Sequence, residues 1–131
     1  PSTNLRAPLL LDVLEQPWPV ETQAMTPAIS AMVAINMIHI APWRCCEALL
    51  DGAQRILPPC GVLYLYGPFK QKGEHTSPSN ADFDHSLKRR NLEWGIRDLE
   101  EVTLTAAERQ LELIEVIPMP ANNLSVVFKR H

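Results

Sequence analysis

The sequence lacks any apolar run close to the roughly 20 residues that a membrane-spanning helix requires. Its first residues, Pro-Ser-Thr-Asn, also lack the basic start and the long apolar core of a signal peptide. Basic clusters are also scarce. The densest is the three-residue run 88–90, and the net charge of the chain is −3. A solvated helix face explains such a run better than a nucleic-acid-binding patch does. We therefore expect a protein that binds neither membranes nor nucleic acids.

Cysteine and histidine are few and poorly spaced for metal or disulfide chemistry. The three cysteines are Cys45, Cys46 and Cys60, and an odd number with two adjacent members is a poor disulfide framework. Adjacent cysteines also lack the two-residue gap of a zinc site, and the four histidines show no ligand spacing. We expect reduced thiols, a cytoplasmic location and no bound metal.

Glycine-rich motifs are missing as well. The five glycines never form G-x-G-x-x-G, the turn that brings a nucleotide cofactor close to a helix N-terminus. The G-x-S-x-G elbow of α/β hydrolases is also absent. The sequence therefore offers neither a complete nucleotide-binding loop nor a serine nucleophile of that type.

What the sequence does contain is enough for one domain, since 46% of its 131 residues are hydrophobic. The predicted strands are 8–14, 31–38, 62–66, 111–117 and 124–128, and the predicted helices are 44–57, 80–90 and 98–110. Strand, helix and strand between 31 and 66 are typical of a parallel βαβ unit. A tight connection before residue 124 predicts an antiparallel C-terminal strand pair. The expected fold is α/β, with a mixed sheet of about five strands and flanking helices.

Polar residues interrupt the apolar stretch 33–43 where its strand should end. Asn36 and His39 lie among residues that favour burial, and Pro42 prevents easy continuation of the strand. Ligands of open α/β sheets bind outside the carboxyl ends of strands. We therefore expect chemistry at this edge, where His39 is either a general base or, like many lone histidines, a hydrogen-bonded structural group.

Other polar and aromatic residues should reach the same edge. Tyr66 ends the next strand and offers a hydroxyl above an apolar ring. Arg97 can act as a fork for a carboxylate or phosphate, or pair with a neighbouring acid. The polar excursion 69–80 and the loop near Arg97 could form a lid. The candidate substrate-binding residues are Trp43, Asn80, Trp94, Arg97 and Asn122. For Trp43 core packing, and for Asn122 turn chemistry, are equally open alternatives.

Five short segments of the sequence are distinctive. They are 35–43 (INMIHIAPW), 63–68 (LYLYGP), 79–84 (SNADFD), 90–98 (RNLEWGIRD) and 119–123 (MPANN). In this order they resemble the methyltransferase-like protein 26 family, a group of class I S-adenosylmethionine-dependent methyltransferase-like proteins. The resemblance extends from about residue 4 to residue 129.

The resemblance implies an incomplete Rossmann-like methyltransferase fold that corresponds to the C-terminal portion of that family. Members hold S-adenosylmethionine with a glycine-rich loop and an acid after the first two strands, and this sequence contains no such loop. By resemblance Asp12 would lie near the adenine, unless it only caps a turn. Asn36 and Met37 would contact the cofactor, and His39 or Tyr66 would take a proton from the acceptor.

The family's sheet order, 3-2-1-4-5-7-6, would leave the predicted strand 8–14 apart from the strand 31–38. Because an uncovered apolar strand invites aggregation, we expect a rewired five-stranded sheet, with its edge covered by the first strand or by a homodimer. Two functions remain open. One is a methyltransferase of an unknown small molecule, inactive as this chain alone. The other is a non-catalytic binding or assembly module derived from that fold.

Overall fold

The computed structural model describes residues 5–23 and 28–131. The helices are α1 (Pro19–Thr22), α2 (Trp43–Ile56), α3 (Pro78–Arg90) and α4 (Leu99–Ala107), and the strands are β1 (Ala31–Ile35), β2 (Val62–Gly67), β3 (Leu111–Met119) and β4 (Asn123–Arg130). Across this part of the chain the strands form a single sheet in the order β1-β2-β4-β3.

The sheet is mixed, as the sequence predicted. β1 and β2 are parallel, with α2 between them in the chain, whereas β4 is antiparallel to both β2 and β3. A 3-10 turn, Pro120–Asn122, joins β3 to β4, and Ala121 and Asn122 take positive φ angles of 62° and 60° there. The predicted α/β class and antiparallel C-terminal pair are confirmed, while the predicted strand count is one too high for the described residues.

Local signals explain where the helices begin and end. The Ser77 hydroxyl caps α3 by accepting the N–H of Asn80 at 3.1 Å, so the helix starts two residues earlier than predicted. The Asp98 carboxylate caps α4 by accepting the N–H of Glu100 at 3.0 Å. α2 ends at Ile56, just before Pro58, since a proline has no N–H for a helical hydrogen bond.

The main core lies between the sheet and the face formed by α2 and α4. Fully buried residues from the helices and strands meet there: Cys46, Leu50, Ala53, Leu63, Leu65, Val102, Val126 and Phe128. The opposite face of the sheet is open at β1, where Val33 and Ile35 remain 65% and 63% exposed. Because β1 is the first strand in the sheet order, this exposed apolar strand lies at the rim of the described sheet.

The predicted first strand, 8–14, is wrong. Its backbone forms a turn, in which the Asp12 carboxylate accepts the N–H of Leu14 at 2.9 Å and the Asp12 carbonyl accepts the N–H of Glu15 at 3.0 Å. Leu10 is 97% exposed. An apolar run becomes a strand only when another strand pairs with it, and β1 does not do so. The expected rewired five-stranded sheet is therefore wrong as well.

Candidate functional site

The loops after β1 and β2 meet at one edge of the sheet. Ile35 pairs with Tyr66 at the ends of the two strands, and the Asn36 N–H donates to the Tyr66 carbonyl at 2.8 Å. The turn before β4 reaches the same edge, because Gly67 pairs with Leu124. The sequence therefore located the carboxyl edge of the sheet correctly.

His39 lies at the centre of this edge and is completely buried. Its Nδ1 accepts the backbone N–H of Arg97 at 3.0 Å, and its carbonyl accepts the N–H of Gly95 at 2.9 Å. Its ring meets Phe69 edge-on, with ring centres 4.8 Å apart. His39 thus fastens the loop after β1 to the segment 94–97.

Burial determines the protonation of His39. The pKa of His39 is lowered to about 3: removal from water is the largest cause, the positive charge of Arg97 acts in the same direction, and the negative charge of Asp84 opposes the shift. Because Nδ1 accepts a hydrogen bond, the single proton of the neutral ring lies on Nε2. With no free basic nitrogen in this arrangement, the geometry supports a positioning role. General-base catalysis by His39 stays a prediction.

Two buried polar atoms at this edge have no hydrogen-bond partner among the described residues, His39 Nε2 and Asn36 Oδ1. Both surround Gly67: a Cβ atom added there would lie 2.5 Å from His39 Nε2 and 3.1 Å from Asn36 Oδ1. Asn36 also adopts a positive φ of 58°, which turns the chain sharply out of β1. The Nε2–H donor of His39 and the Oδ1 acceptor of Asn36 therefore both face the space beside Gly67, which the Cβ of any other residue would fill.

Arg97 is a clamp on backbone carbonyls. Its Nε donates to the Ile38 carbonyl at 3.0 Å, and its Nη2 donates to the carbonyls of Ala41 and Glu93 at 2.7 and 2.9 Å. The guanidinium also lies 5.6 Å from the centre of the half-buried Trp43 ring. Desolvation lowers the pKa of Arg97. The predicted pairing with an adjacent acid is not among these contacts, and ligand binding by Arg97 stays a prediction.

Asp84 is a buried acid that the sequence analysis missed. Its Oδ1 accepts the N–H of Ile96 at 2.8 Å, while its Oδ2 lies 3.0 Å from Lys88 Nζ and 3.2 Å from His75 Nε2. Burial opposes ionisation, but the Ile96 hydrogen bond and the charge of Lys88 outweigh it and keep the pKa of Asp84 below its usual value. In the sequence, only the four-residue spacing of Asp84 and Lys88 indicates this ion pair.

Asn80 and Asn122 meet, but in structural roles. The buried Asn80 amide donates to the Thr76 hydroxyl and to the Asn122 carbonyl, both at 3.0 Å. Asn122 contributes its backbone rather than its side chain, as turn chemistry predicts. Trp94 is half-buried, with the Arg90 guanidinium 5.5 Å from its ring centre. These contacts tie the segment 76–80 to the sheet edge.

Of the remaining predicted site residues, Tyr66 and Met37 adjoin Asn36 at the edge, whereas Asp12 lies in a separate turn. Tyr66 is half-buried and pairs with Ser125 across the sheet, and Met37 packs partly buried against the core. Asp12 is exposed in its turn, so its predicted position at a strand end is wrong. The described residues contain no cluster of three or more acid, histidine or cysteine side chains placed to hold a metal ion. No helix among them is long and apolar enough to cross a bilayer.

These residues do not by themselves form a site that fits S-adenosylmethionine. Asn36 Oδ1 and His39 Nε2 are buried and cannot reach a bound molecule in this arrangement. A cavity of about 410 Å³ lies away from the edge, between residues near Val20 and the end of α2 near Ile56. The described residues thus bring polar groups to the expected edge but bury the two unpartnered atoms, so this part of the chain does not by itself present them to a cofactor.

Acid should destabilise the protein through His39. Since its pKa is about 6.5 in an unfolded chain and about 3 when folded, the unfolded state binds the extra proton between those values. Stability should fall by roughly 1–2 kcal/mol as the pH drops from 6.5 to 5, because the slope rises from about 0.7 to about 1.4 kcal/mol per pH unit as the unfolded histidine becomes protonated. Urea unfolding across this pH range measures the loss.

The matched variant is His39→Asn, because an asparagine oxygen can still accept the Arg97 N–H without titrating. The variant should show a stability profile that is flatter by this amount between pH 6.5 and 5. Equal slopes for both proteins would contradict a buried, neutral His39. The carboxylates with lowered pKa, such as Asp84, lose their contribution only at lower pH and do not interfere.

Comparison with solved structures shows the fold of a methyltransferase. An O-methyltransferase family 2 protein from Planctomyces limnophilus, in complex with apigenin, superposes with a TM-score of 0.71 at 22% identity, over 80% of this chain and 31% of that one. Human N-acetylserotonin methyltransferase, in complex with SAM, gives 0.69 at 9% identity, over 77% and 29%.

CalO1, a methyltransferase in calicheamicin biosynthesis solved in its SAH-bound form, gives a TM-score of 0.67 at 14% identity, over 80% of this chain and 31% of that one. The chain therefore spans about 30% of the length of these proteins. At such low identities the likeness shows the fold alone. By sequence, residues 1–130 match the family described as protein of unknown function, DUF938, and the chain belongs to that family.

Proposed function

We propose that this chain is the C-terminal part of an S-adenosylmethionine-dependent methyltransferase of small molecules, of the methyltransferase-like protein 26 kind. The observation that carries the proposal is the sheet itself. Its order, two parallel strands followed by an antiparallel pair, superposes on methyltransferases solved with SAM or SAH bound. Its loops gather Asn36, His39 and Arg97 at the edge where ligands of open α/β sheets bind.

Bound S-adenosylmethionine would supply the methyl group, and the chain's own residues would shape the edge beside it. Arg97 and His39 hold the loop after β1 in one conformation, so that a neighbouring ligand meets a preorganised wall. The sequence contains no glycine-rich loop, and Asp12 lies in an exposed turn. We therefore assign no catalytic step to these residues alone and expect the isolated chain to be inactive.

The thiols are compatible with a reducing compartment, and we propose a cytoplasmic location. Cys45 and Cys46 are buried and unpaired, and Cys60 is exposed and unpaired. Burial raises the pKa of Cys46 to about 12, so this thiol is unreactive at neutral pH. An exposed, unpaired Cys60 would be prone to oxidation in a secretory compartment.

Calorimetric titration with S-adenosylmethionine tests the proposal. We expect no binding by the isolated chain at millimolar ligand. The same chain fused behind the N-terminal part of a family member that carries a glycine-rich loop should bind in the micromolar range and transfer a methyl group to a screened small molecule. A folded fusion that binds neither S-adenosylmethionine nor its demethylated product would refute the methyltransferase assignment.

Two variants of the fusion sharpen the experiment. Asn36→Ala places alanine at the positive φ of the sharp turn out of β1, so it should displace the sheet edge and weaken cofactor binding at least about tenfold. Ile114→Ala lies on β3, where Ile114 is 48% exposed, and should leave binding unchanged. Equal effects of both substitutions would place the site elsewhere. Micromolar binding by the isolated chain would show instead that the residues described above complete a site without the loop.

A non-catalytic assembly role is the second candidate, and one observation favours it. β1 is apolar, lies at the edge of the sheet and remains largely exposed at Val33 and Ile35. A strand of this kind is a template for another strand.

A further inference from the structure

A single carboxylate connects three parts of the chain near the sheet edge. Asp84 belongs to α3, its Oδ1 accepts the N–H of Ile96 at 2.8 Å, and its Oδ2 lies 3.2 Å from Nε2 of His75. Ile96 is part of the segment 94–97, and His75 is part of the excursion 69–80 that follows β2. The Asp84 side chain therefore joins this excursion to the segment that holds the loop after β1.

The contacts continue from Asp84 to His39 through the residues on either side of Ile96. The Gly95 N–H donates to the His39 carbonyl at 2.9 Å, and the Arg97 N–H donates to the His39 Nδ1 at 3.0 Å. Asp84 holds the amide between these two. Because consecutive amides share one short stretch of backbone, loss of the bond at the middle amide should loosen the bonds on both sides of it.

The close approach of α3 to this segment depends on the glycine at position 95. A Cβ atom added to Gly95 would lie 3.0 Å from Asp84 Oδ1 and 3.1 Å from Lys88 Cε. The φ angle of Gly95 lies outside the left-handed region, so its backbone conformation does not itself require a glycine. The missing side chain therefore serves the contact with α3 rather than a turn.

Asp84 is suited to this role because it is both buried and ionised. Only 5% of the residue is exposed. Burial opposes ionisation, but the Ile96 hydrogen bond and Lys88, whose Nζ lies 3.0 Å from Oδ2, keep the pKa of Asp84 below its usual value. An ionised carboxylate has two acceptor oxygens and no donor. Asp84 can therefore receive Ile96, Lys88 and His75 at the same time.

We propose that Asp84 is a positioning residue of the sheet edge. By holding the Ile96 amide, it keeps the neighbouring amides of the segment 94–97 in place against His39. Described residues supply every contact in this series, and none of them lies on the open side of β1. The role is therefore independent of any further strand beside β1, and it holds whether or not a methyl group is transferred at the edge.

Amide hydrogen exchange of the full chain tests the proposal, because it reports on each amide separately. The decisive amides are those of Gly95 and Arg97, whose acceptors lie on His39 and not on Asp84. In Asp84→Ala both should exchange at least about tenfold faster, which corresponds to the loss of one hydrogen bond to a charged group. The amides of β4, an inner strand of the sheet, should change less.

Three further variants separate the bond from the charge. Asp84→Asn retains an oxygen that can accept the Ile96 N–H, so it should keep most of the protection that Asp84→Ala loses. Asp82→Ala removes a negative charge from an exposed position of the same helix and should leave the exchange unchanged. Gly95→Ala keeps Asp84 but pushes the segment away from it, so the Arg97 amide should again exchange faster.

Two results for Asp84 would overturn the proposal. Equal acceleration of the Gly95, Arg97 and β4 amides in Asp84→Ala would show that Asp84 contributes only to overall stability. An Asp84→Asn variant with as little protection as Asp84→Ala would show that the charge matters rather than the bond to Ile96. If Asp84→Ala does not fold, Gly95→Ala decides, because an unchanged rate for the Arg97 amide in that variant would also contradict the proposed role.

Discussion

Replacing Arg97 with alanine should lower the free energy of unfolding by about 3–5 kcal/mol, because hydrogen bonds to charged groups contribute about 1.5–3 kcal/mol each. The guanidinium satisfies the carbonyls of Ile38, Ala41 and Glu93 and packs over the Trp43 ring. Alanine would leave these carbonyls to find other partners and would open a gap beside the ring. Chemical denaturation at pH 7 measures the change.

Arg97→Lys separates geometry from charge. Lysine keeps the positive charge but lacks the planar fork that reaches carbonyls on two segments at once. We expect the lysine variant to lose at least half as much stability as the alanine variant.

Arg44→Ala is the matched control, because Arg44 is exposed and forms a surface ion pair with Glu93 at 3.2 Å. Its loss should cost less than about 1 kcal/mol. If Arg97→Ala were as mild as Arg44→Ala, the clamp would contribute little to holding the loop after β1.

Replacing Gly67 with alanine should destabilise the protein by about 2–3 kcal/mol, the upper range for an overpacked core position. The added Cβ would lie 2.5 Å from His39 Nε2 and 3.1 Å from Asn36 Oδ1, both of which are buried. His39 cannot move away freely, because its Nδ1 accepts the Arg97 N–H and its ring contacts Phe69 edge-on. Thermal or chemical unfolding gives the magnitude.

A double-mutant cycle identifies the cause. His39→Ala removes the ring that the new methyl group meets, so Gly67→Ala should cost at least about 1 kcal/mol less in the His39→Ala background than in the natural protein. Gly73→Ala is a suitable control: an added Cβ there meets its nearest atom at 3.8 Å, and its cost comes only from the positive φ of 76°. Additive effects of Gly67→Ala and His39→Ala would contradict the contact.

Both substitutions bear on function through the same loop. Arg97 and His39 fasten the residues that follow β1, and Gly67 lets those residues approach the end of β2. If the proposed methyltransferase assignment holds, a conservative substitution such as Arg97→Lys should lower the methyl-transfer activity of the fused protein more than the loss of stability alone predicts. The reason is that the positioning of the sheet edge is then lost as well.

Much of the fold followed from short-range patterns. The helix predicted at 44–57 is observed at Trp43–Ile56, and the strand predicted at 62–66 is observed at Val62–Gly67. These elements depend on apolar periodicity and on prolines at their ends, both of which are local properties. β1 ends at Ile35, earlier than predicted, because Asn36 adopts a positive φ and turns the chain.

Residues 8–14 show the limit of the same reasoning. Their apolar run satisfies the pattern of a buried strand, but a strand also needs a partner whose backbone groups face it. In the structure the Asp12 side chain instead closes a turn, with its hydrogen bond to the Leu14 N–H. Whether an apolar segment pairs is a property of the whole sheet, and no local signal in the segment records it.

The sequence by itself determined the α/β order, the mixed sheet and the edge at which Asn36, His39 and Arg97 gather. Only the tertiary structure decided what these side chains do there. Burial keeps His39 neutral, and the Arg97 guanidinium donates its hydrogen bonds to backbone carbonyls of the loop after β1 and of Glu93. The physical reason is that pKa values and hydrogen-bond partners depend on neighbours distant in sequence. Residue type and spacing along the chain carry no record of those neighbours.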